Sequence, residues 1–248
     1  ATIHLLRGEE RRARYVWSDD PLREWTAYLQ SHGLRGDAAH GVTEAAQALR
    51  KVVQLPERFA SLDDGAVVQA GDRRLRVVWT PGHSDYHYVL VDDERRAIFS
   101  GDHLLPTITP NVGLYPECRP NPLDDYLSSF EKFAAMGDYL VYPSHGEPYN
   151  ALGRRIEALR AHHDERLGGV WERTAASDRA GASAADIVTH FWGDRLNAHE
   201  TRFALVEVVA HLEYLRLAGD LDVAHVDGIH RYRVIRARSH ASGGAVDL

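Results

Sequence analysis

Three short segments carry residue types that can bind a metal ion, and each one follows a predicted strand. The segments are Thr80-Pro81-Gly82-His83, Ser100-Gly101-Asp102-His103 and Pro143-Ser144-His145-Gly146-Glu147-Pro148. Imidazole and carboxylate groups are suitable zinc ligands, and glycine lets the backbone approach a metal closely. If the strands share a sheet and run in the same direction, His83, Asp102 and His145 converge on one edge. The sequence therefore predicts a metal site formed by these three side chains.

The elements that must position these segments are visible in the hydrophobic pattern. Leu75, Val77 and Trp79 alternate with other residues in a way that predicts a half-buried strand. Further strands are predicted over Ile3 to Leu6, Tyr88 to Val91, Arg96 to Phe99 and Tyr139 to Tyr142. One helix is predicted to begin at Pro122 with Asn121 as its cap, and another to run from about residue 151 to residue 167.

In this order and spacing, the three segments resemble the third, fourth and fifth motifs of the metallo-β-lactamase superfamily. The resemblance covers roughly residues 1–167 and implies an αββα sandwich that holds two zinc ions, with iron or manganese as alternatives. By position, His83 would ligate the first metal, Asp102 would bridge both metals, and His145 would ligate the second. The resemblance also implies catalytic roles for Asp102 and His145 around a metal-bound hydroxide that attacks an acyl or phosphoryl centre.

One motif of that family, His-x-His-x-Asp-His, does not occur in the sequence. In the family it supplies two ligands to each metal, and we expect it to precede a strand such as Ile3 to Leu6. We therefore expect the α/β domain to be incomplete at its N-terminus and this chain alone to be inactive or weakly active. True loss of the metal site is the alternative.

Three further histidines are candidates for lining the pocket or supporting the ligands. His87 lies four residues after His83 on a predicted strand, and His103 follows Asp102 directly. His163 belongs to the pair His162-His163 in the second predicted helix, which lacks the His-x-x-x-His spacing of a zinc protease. We expect these histidines to pack behind the site and not to bind the metal.

The second half of the chain has a different pattern. Gly168-Gly169 and residues 175–182 dilute the apolar pattern and predict a linker over 168–182. Two helices are predicted next, one capped by Ser183 and ending at Trp192, the other over about Ala198 to Leu217. A hairpin with its turn at Asp227-Gly228 follows. This order predicts a small winged-helix-like α+β domain over 183–238 and a flexible tail over 239–248.

The charge of this half does not favour a nucleic-acid partner. Residues 168–248 contain nine arginines, no lysines and eleven acidic residues, a net charge of −2. The arginines of the hairpin and tail form a cluster of Arg231, Arg233, Arg236 and Arg238. The long helix carries the acidic residues Glu200, Glu207 and Glu213. We therefore expect the domain to cover the pocket or to mediate homodimer formation, and not to read DNA or RNA.

The composition is that of a globular protein with room for one large domain or a core domain and a small one. The chain has 248 residues, 44% hydrophobic and 26% charged, with a net charge of −7. No apolar run reaches the roughly 20 residues of a membrane span. Cys118 is the only cysteine, so no intrachain disulfide can form and a cytoplasmic location is expected.

The three segments and the family resemblance that they carry imply a metal-dependent hydrolase of an ester, a thioester or a related small acyl substrate. The sequence has no Gly-x-Ser-x-Gly elbow, glycine-rich phosphate loop or Cys-x-x-Cys pair, which argues against a serine hydrolase, a nucleotide-binding protein and a zinc finger. An RNA-cleaving phosphodiesterase of the same fold is the alternative enzyme. A binding module without a complete metal site is the alternative from a different class.

Overall fold

The computed structural model describes residues 2–18, 22–50 and 52–236. The chain divides into two compact units, and each is assembled from separate segments. The first unit comprises Ala1–Trp17, Gln54–Val112 and Pro122–Ala161. The second unit comprises Ser18–Val53, Gly113–Asn121 and His162–Leu248. The predicted tail over 239–248 and Arg238 lie outside the described residues.

A five-stranded sheet forms the centre of the first unit. In spatial order its strands are β3 (Val67–Ala70), β4 (Arg73–Trp79), β5 (Tyr88–Asp92), β6 (Ala97–Gly101) and β7 (Leu140–Pro143). Neighbouring strands are antiparallel except β6 and β7, which are parallel. Five apolar side chains of the sheet are 0% exposed, and all are β-branched, which suits packing on a pleated surface; they are Val77, Val89, Val91, Ile98 and Val141. The strands predicted from alternation are confirmed.

The first unit also contains a two-stranded sheet and several helices. Strand β1 (Ile3–Leu6) pairs in parallel with β2 (Phe59–Leu62), and helix α1 (Glu9–Val16) follows β1. Helix α4 (Pro122–Ser129) begins with proline, whose missing N–H costs nothing in a first turn, and buries Leu123 and Tyr126. A 3-10 helix (Phe130–Phe133) continues from α4.

Helices dominate the second unit. They are α2 (Leu22–Ser31), α3 (Asp37–Arg50), the later part of α5 (Leu152–Ala175), α6 (Ala184–Trp192) and α7 (Ala198–Leu217). Helix α7 is apolar around much of its circumference and buries residues such as Leu205 and Leu212 completely, as expected for a helix inside a core.

The hairpin predicted at the end of the second unit is present. It consists of β8 (Leu221–Val226) and β9 (Ile229–Val234), which pair antiparallel around Asp227 and Gly228. Both turn residues have positive φ, 52° and 77°, as a two-residue hairpin turn of the mirror-image type requires.

The predicted helix end near residue 167 is wrong, because α5 continues to Ala175. The two glycines at 168 and 169 lie inside the helix, although each costs about 1 kcal/mol relative to alanine. Leu167 and Val170 on either side are 3% and 0% exposed, so tertiary packing outweighs that cost. A Cβ on Gly169 would lie 3.4 Å from the Phe191 ring, which is ordinary van der Waals contact. The domain boundaries at 167, 182 and 238 remain predictions.

Within the described residues, no helix is both long and apolar enough to cross a membrane.

Candidate metal centre

Sheet topology brings the three predicted metal-ligating segments to one edge. Strand β4 is antiparallel to β5 and β5 is antiparallel to β6, so β4, β6 and β7 all run in the same direction. His83 follows the end of β4, Asp102 follows β6 directly, and His145 follows β7. These three strands therefore end at the same edge of the sheet, and all three residues lie at that edge.

Asp102 lies between the two imidazoles. Its Oδ2 is 3.4 Å from His83 Nε2, and its Oδ1 is 3.4 Å from His145 Nε2. The side chains of His83 and Asp102 are about one-third exposed, and that of His145 is 68% exposed. The centre is therefore open to solvent, with one imidazole facing each carboxylate oxygen.

Hydrogen bonds set the orientation of two of these groups. His83 Nδ1 lies 2.9 Å from the backbone oxygen of Asn111. A carbonyl oxygen only accepts, so Nδ1 carries a proton, and in the neutral ring this tautomer leaves Nε2 free to bind a metal. The Ser144 hydroxyl donates a hydrogen bond to Asp102 Oδ1. Neither Asn111 nor Ser144 was predicted to support the site.

The donors fit zinc in type and in spacing. Two ligands held about 2.0–2.2 Å from a tetrahedral ion are about 3.4 Å apart, which is the separation in both imidazole–carboxylate pairs. Within the described part of the chain, no three His, Cys, Asp or Glu side chains form a group that could hold a metal ion. The described residues show two imidazole–carboxylate pairs that share Asp102, and the ligand roles of His83, Asp102 and His145 remain predictions.

Glycines allow the segments to reach this arrangement. Gly82 has φ of +135°, and a Cβ there would lie 2.4 Å from the Cβ of Tyr126. Gly101 has φ of +53°, and a Cβ there would lie 2.8 Å from His87 Nε2. Both positions combine a left-handed backbone with a close contact, so only glycine fits without rearrangement.

His87 and His103 lie beside one another next to the turn at Gly101. Their rings are stacked with centroids 5.7 Å apart, and the His87 ring centroid is 6.2 Å from that of His83. Burial lowers the pKa of His87 to about 4 and lowers that of His103 well below its ordinary value. Both imidazoles are therefore neutral near pH 7, and they support the ligand segments through packing and hydrogen bonds.

Each of these two rings forms a hydrogen bond with a side-chain hydroxyl group. His87 Nδ1 is 2.8 Å from Thr80 Oγ1, and His103 Nε2 is 2.9 Å from Ser129 Oγ. The Ser129 hydroxyl donates to the backbone oxygen of Tyr126, so it accepts the proton of His103 Nε2. His103 is thus anchored to helix α4, a contact that was not predicted from the sequence.

His163 lies in the second unit, where it faces another buried histidine. Its Nδ1 is 3.4 Å from Nε2 of His211, whose Nδ1 lies 2.8 Å from the backbone oxygen of Glu207. Burial lowers the pKa of His163 to about 2 and that of His211 to about 4. The pair is therefore neutral, and a role for His163 at the pocket remains a prediction.

A carboxyl group that was not predicted from the sequence also interacts with His83. Glu9, in the first turn of α1, has a raised pKa, chiefly because of burial. The charge of Arg12 opposes this shift, Asp85 adds to it, and His83 opposes it weakly. Arg12 itself forms an ion pair with Asp85. Glu9 is therefore an additional titratable group in the electrostatic environment of the site.

Two family profiles match the chain. The profile of the metallo-beta-lactamase superfamily matches residues 8–145, and that of the metallo-beta-lactamase-like C-terminal domain matches residues 172–235. The first match includes His83 and Asp102 and ends at His145.

Several known proteins are similar. The structure of a metallo-beta-lactamase family protein from Thermus thermophilus is 30% identical with a TM-score of 0.81, and the match covers 94% of this chain and 72% of that one. A beta-lactamase domain protein from Burkholderia ambifaria is 35% identical with a TM-score of 0.82, over 94% of this chain and 66% of that one. An atrochrysone carboxyl ACP thioesterase of Aspergillus fumigatus is 30% identical over 157 residues, which make up 60% of this chain and 47% of the relative.

The chain spans about a third to a half of the length of the curated relatives it matches. The likenesses confirm the predicted fold class, a mixed α/β metallo-β-lactamase fold followed by the C-terminal domain of metallo-beta-lactamase-like proteins. The winged-helix description of that second domain remains a prediction.

Proposed function

We propose that this chain, which belongs to the metallo-beta-lactamase superfamily, catalyses metal-dependent hydrolysis of a small acyl substrate such as a thioester or an ester. The observation that carries the proposal is the Asp102 carboxylate, which has one imidazole facing each of its oxygens at 3.4 Å. The name of a thioesterase among the curated relatives supports a thioester over other acyl groups.

Metal ions are generally bound by members of this superfamily. In this chain His83 would hold one ion and His145 the other, with Asp102 shared between them. Zinc is proposed because its ligands are imidazole and carboxylate at the spacing observed; iron and manganese are alternatives. A bound divalent ion supplies Lewis acidity and an activated water for attack on a carbonyl.

The residues of the chain contribute orientation and charge. The Asn111 carbonyl holds His83 in the tautomer that leaves Nε2 free, and Ser144 fixes one oxygen of Asp102. The neutral His87 and His103 place no positive charge beside the ligands, so they do not compete with a cation. These contacts orient His83 and Asp102 before any metal binds.

The number of donors limits what this chain does alone. A catalytic zinc normally has three protein ligands and an open position, whereas each position here has two donors among the described residues. We therefore propose that the 248-residue chain binds zinc weakly and hydrolyses acyl substrates slowly.

The test is hydrolysis of an aryl thioester, a nitrophenyl ester and a short RNA by the full chain, with zinc, iron or manganese added. The proposal predicts slow, metal-dependent cleavage of the acyl substrates that is lost in His145→Ala. The matched control His4→Ala changes an exposed histidine of β1 and should retain the rate. Cleavage of RNA without acyl hydrolysis would favour the phosphodiesterase. No metal-dependent cleavage of any substrate by the full chain, together with no metal binding, would favour a binding module.

A further inference from the structure

Arg202 of helix α7 stands apart from the paired arginines of the second unit. Arg216 binds Glu213 at 2.8 Å, and Arg231 binds Asp186 at 2.6 Å. Arg202 forms no hydrogen bond or ion pair with any described residue, and its Nε is buried without a partner. The closest acidic neighbour in sequence, Glu200, is engaged by the backbone N–H of Asn197 in the helix cap.

Two aromatic rings lie next to the guanidinium of Arg202. Its central carbon lies 4.5 Å from the ring centroid of Phe203 and 5.8 Å from that of Trp25. Trp25 is in turn stacked on Tyr115, with centroids 5.2 Å apart and planes at 30°. Cation–π contact holds the guanidinium in place without using its N–H groups, and these groups have no hydrogen-bond partner among the described residues.

A second unpartnered donor lies in the same stack. Trp25 is 7% exposed, and its indole Nε1–H is buried without a hydrogen-bond partner among the described residues. Arginine and tryptophan side chains donate hydrogen bonds and accept none. A ligand that satisfies both must therefore be an acceptor, and the positive guanidinium selects an anionic one.

We propose that Arg202 and Trp25 form an oxyanion-binding site that takes a carboxylate or a phosphate. The planar guanidinium can present two parallel N–H groups to either anion. The rings of Phe203, Trp25 and Tyr115 supply an apolar wall for the organic body of such a ligand. The site is independent of the proposed hydrolysis, because it rests on residues of the second unit alone.

The test is an NMR titration of the full chain, labelled with ¹⁵N, with sodium benzoate and separately with inorganic phosphate at constant ionic strength set by chloride. Trp25→Phe keeps the aromatic wall and removes one indole signal, which assigns that signal to Trp25. We expect the Trp25 indole signal to shift saturably with at least one of the two anions. Tighter binding of benzoate identifies a carboxylate ligand, and tighter binding of phosphate identifies a phosphate ligand.

The variants separate a built site from general surface charge. Arg202→Gln should weaken anion binding about tenfold or more, and Trp25→Phe about two- to tenfold. Arg233→Gln removes an exposed arginine of β9 and should bind as the wild type does. Equal losses in the Arg202 and Arg233 variants, or no shift of the Trp25 indole with either anion, would overturn the proposal. If Arg202→Gln does not fold, the wild-type indole shift and the Trp25→Phe affinity, read from the backbone amide signals, still decide it.

Discussion

Replacing Gly101 with alanine tests the packing next to the metal centre. The backbone of Gly101 has φ of +53°, where an alanine costs about 1–2 kcal/mol. The new Cβ would also lie 2.8 Å from His87 Nε2 and 3.3 Å from its Cε1. The His87 ring cannot yield easily, because it is bonded to Thr80 and stacked on the buried ring of His103. Overpacking of this kind costs about 1–3 kcal/mol.

We therefore expect Gly101→Ala to lower the free energy of unfolding by about 2–5 kcal/mol. The matched control is Gly71→Ala, in the β3–β4 turn, where φ is +64° and no atom lies within 4 Å of the added Cβ. The control should lose only about 1–2 kcal/mol. Urea unfolding followed by circular dichroism, with hydrogen exchange of the β6 amides, measures both variants. Equal destabilisation of the two would refute the account of the His87 contact.

Three further outcomes are expected. Ser144→Ala should lower zinc affinity about 10–100-fold, because Asp102 loses the donor that orients it. Competition with a chromogenic chelator measures the zinc affinity. The control Ser177→Ala should leave that affinity unchanged. The folded-state pKa of His32 is lowered to about 3 by burial, so the unfolded chain takes up the proton first and stability falls as pH drops from about 6.5 toward 3. His32→Phe should reduce the slope of unfolding free energy against pH in that window by up to about 1.4 kcal/mol per pH unit; an unchanged slope would contradict the assignment. Ser183→Ala should cost about 1 kcal/mol in urea unfolding, because Ser183 accepts the Asp186 backbone N–H at the start of α6; no loss would show that the cap contributes nothing.

Elements with strong local signals could be predicted from the sequence. The cap of α6 is a reciprocal pair, Ser183 and Asp186, that lies within one turn of chain. The strands that position the candidate ligands alternate or form short apolar runs, and their ends set the positions of His83, Asp102 and His145. A shared strand direction was then enough to place these three residues on one edge.

Features that depend on contacts between distant residues could not be predicted in this way. The passage of α5 through Gly168 and Gly169 depends on burial of Leu167 and Val170. The support of His103 by Ser129 and of His83 by the Asn111 carbonyl joins residues 26 and 28 positions apart. Helices α2 and α3 were not predicted from the sequence, and they belong to the second unit.

Zinc titration of the full chain and of its Asp102→Asn variant tests whether the Asp102 carboxylate binds the metal. The Asp102 carboxylate is the one donor group shared by both proposed metal positions, and asparagine keeps its size while removing its charge. The matched control Asp138→Asn changes an exposed acid of the same unit. We expect isothermal titration calorimetry to show weak zinc binding that survives Asp138→Asn and is lost in Asp102→Asn. Zinc binding by Asp102→Asn with the wild-type affinity would contradict this expectation.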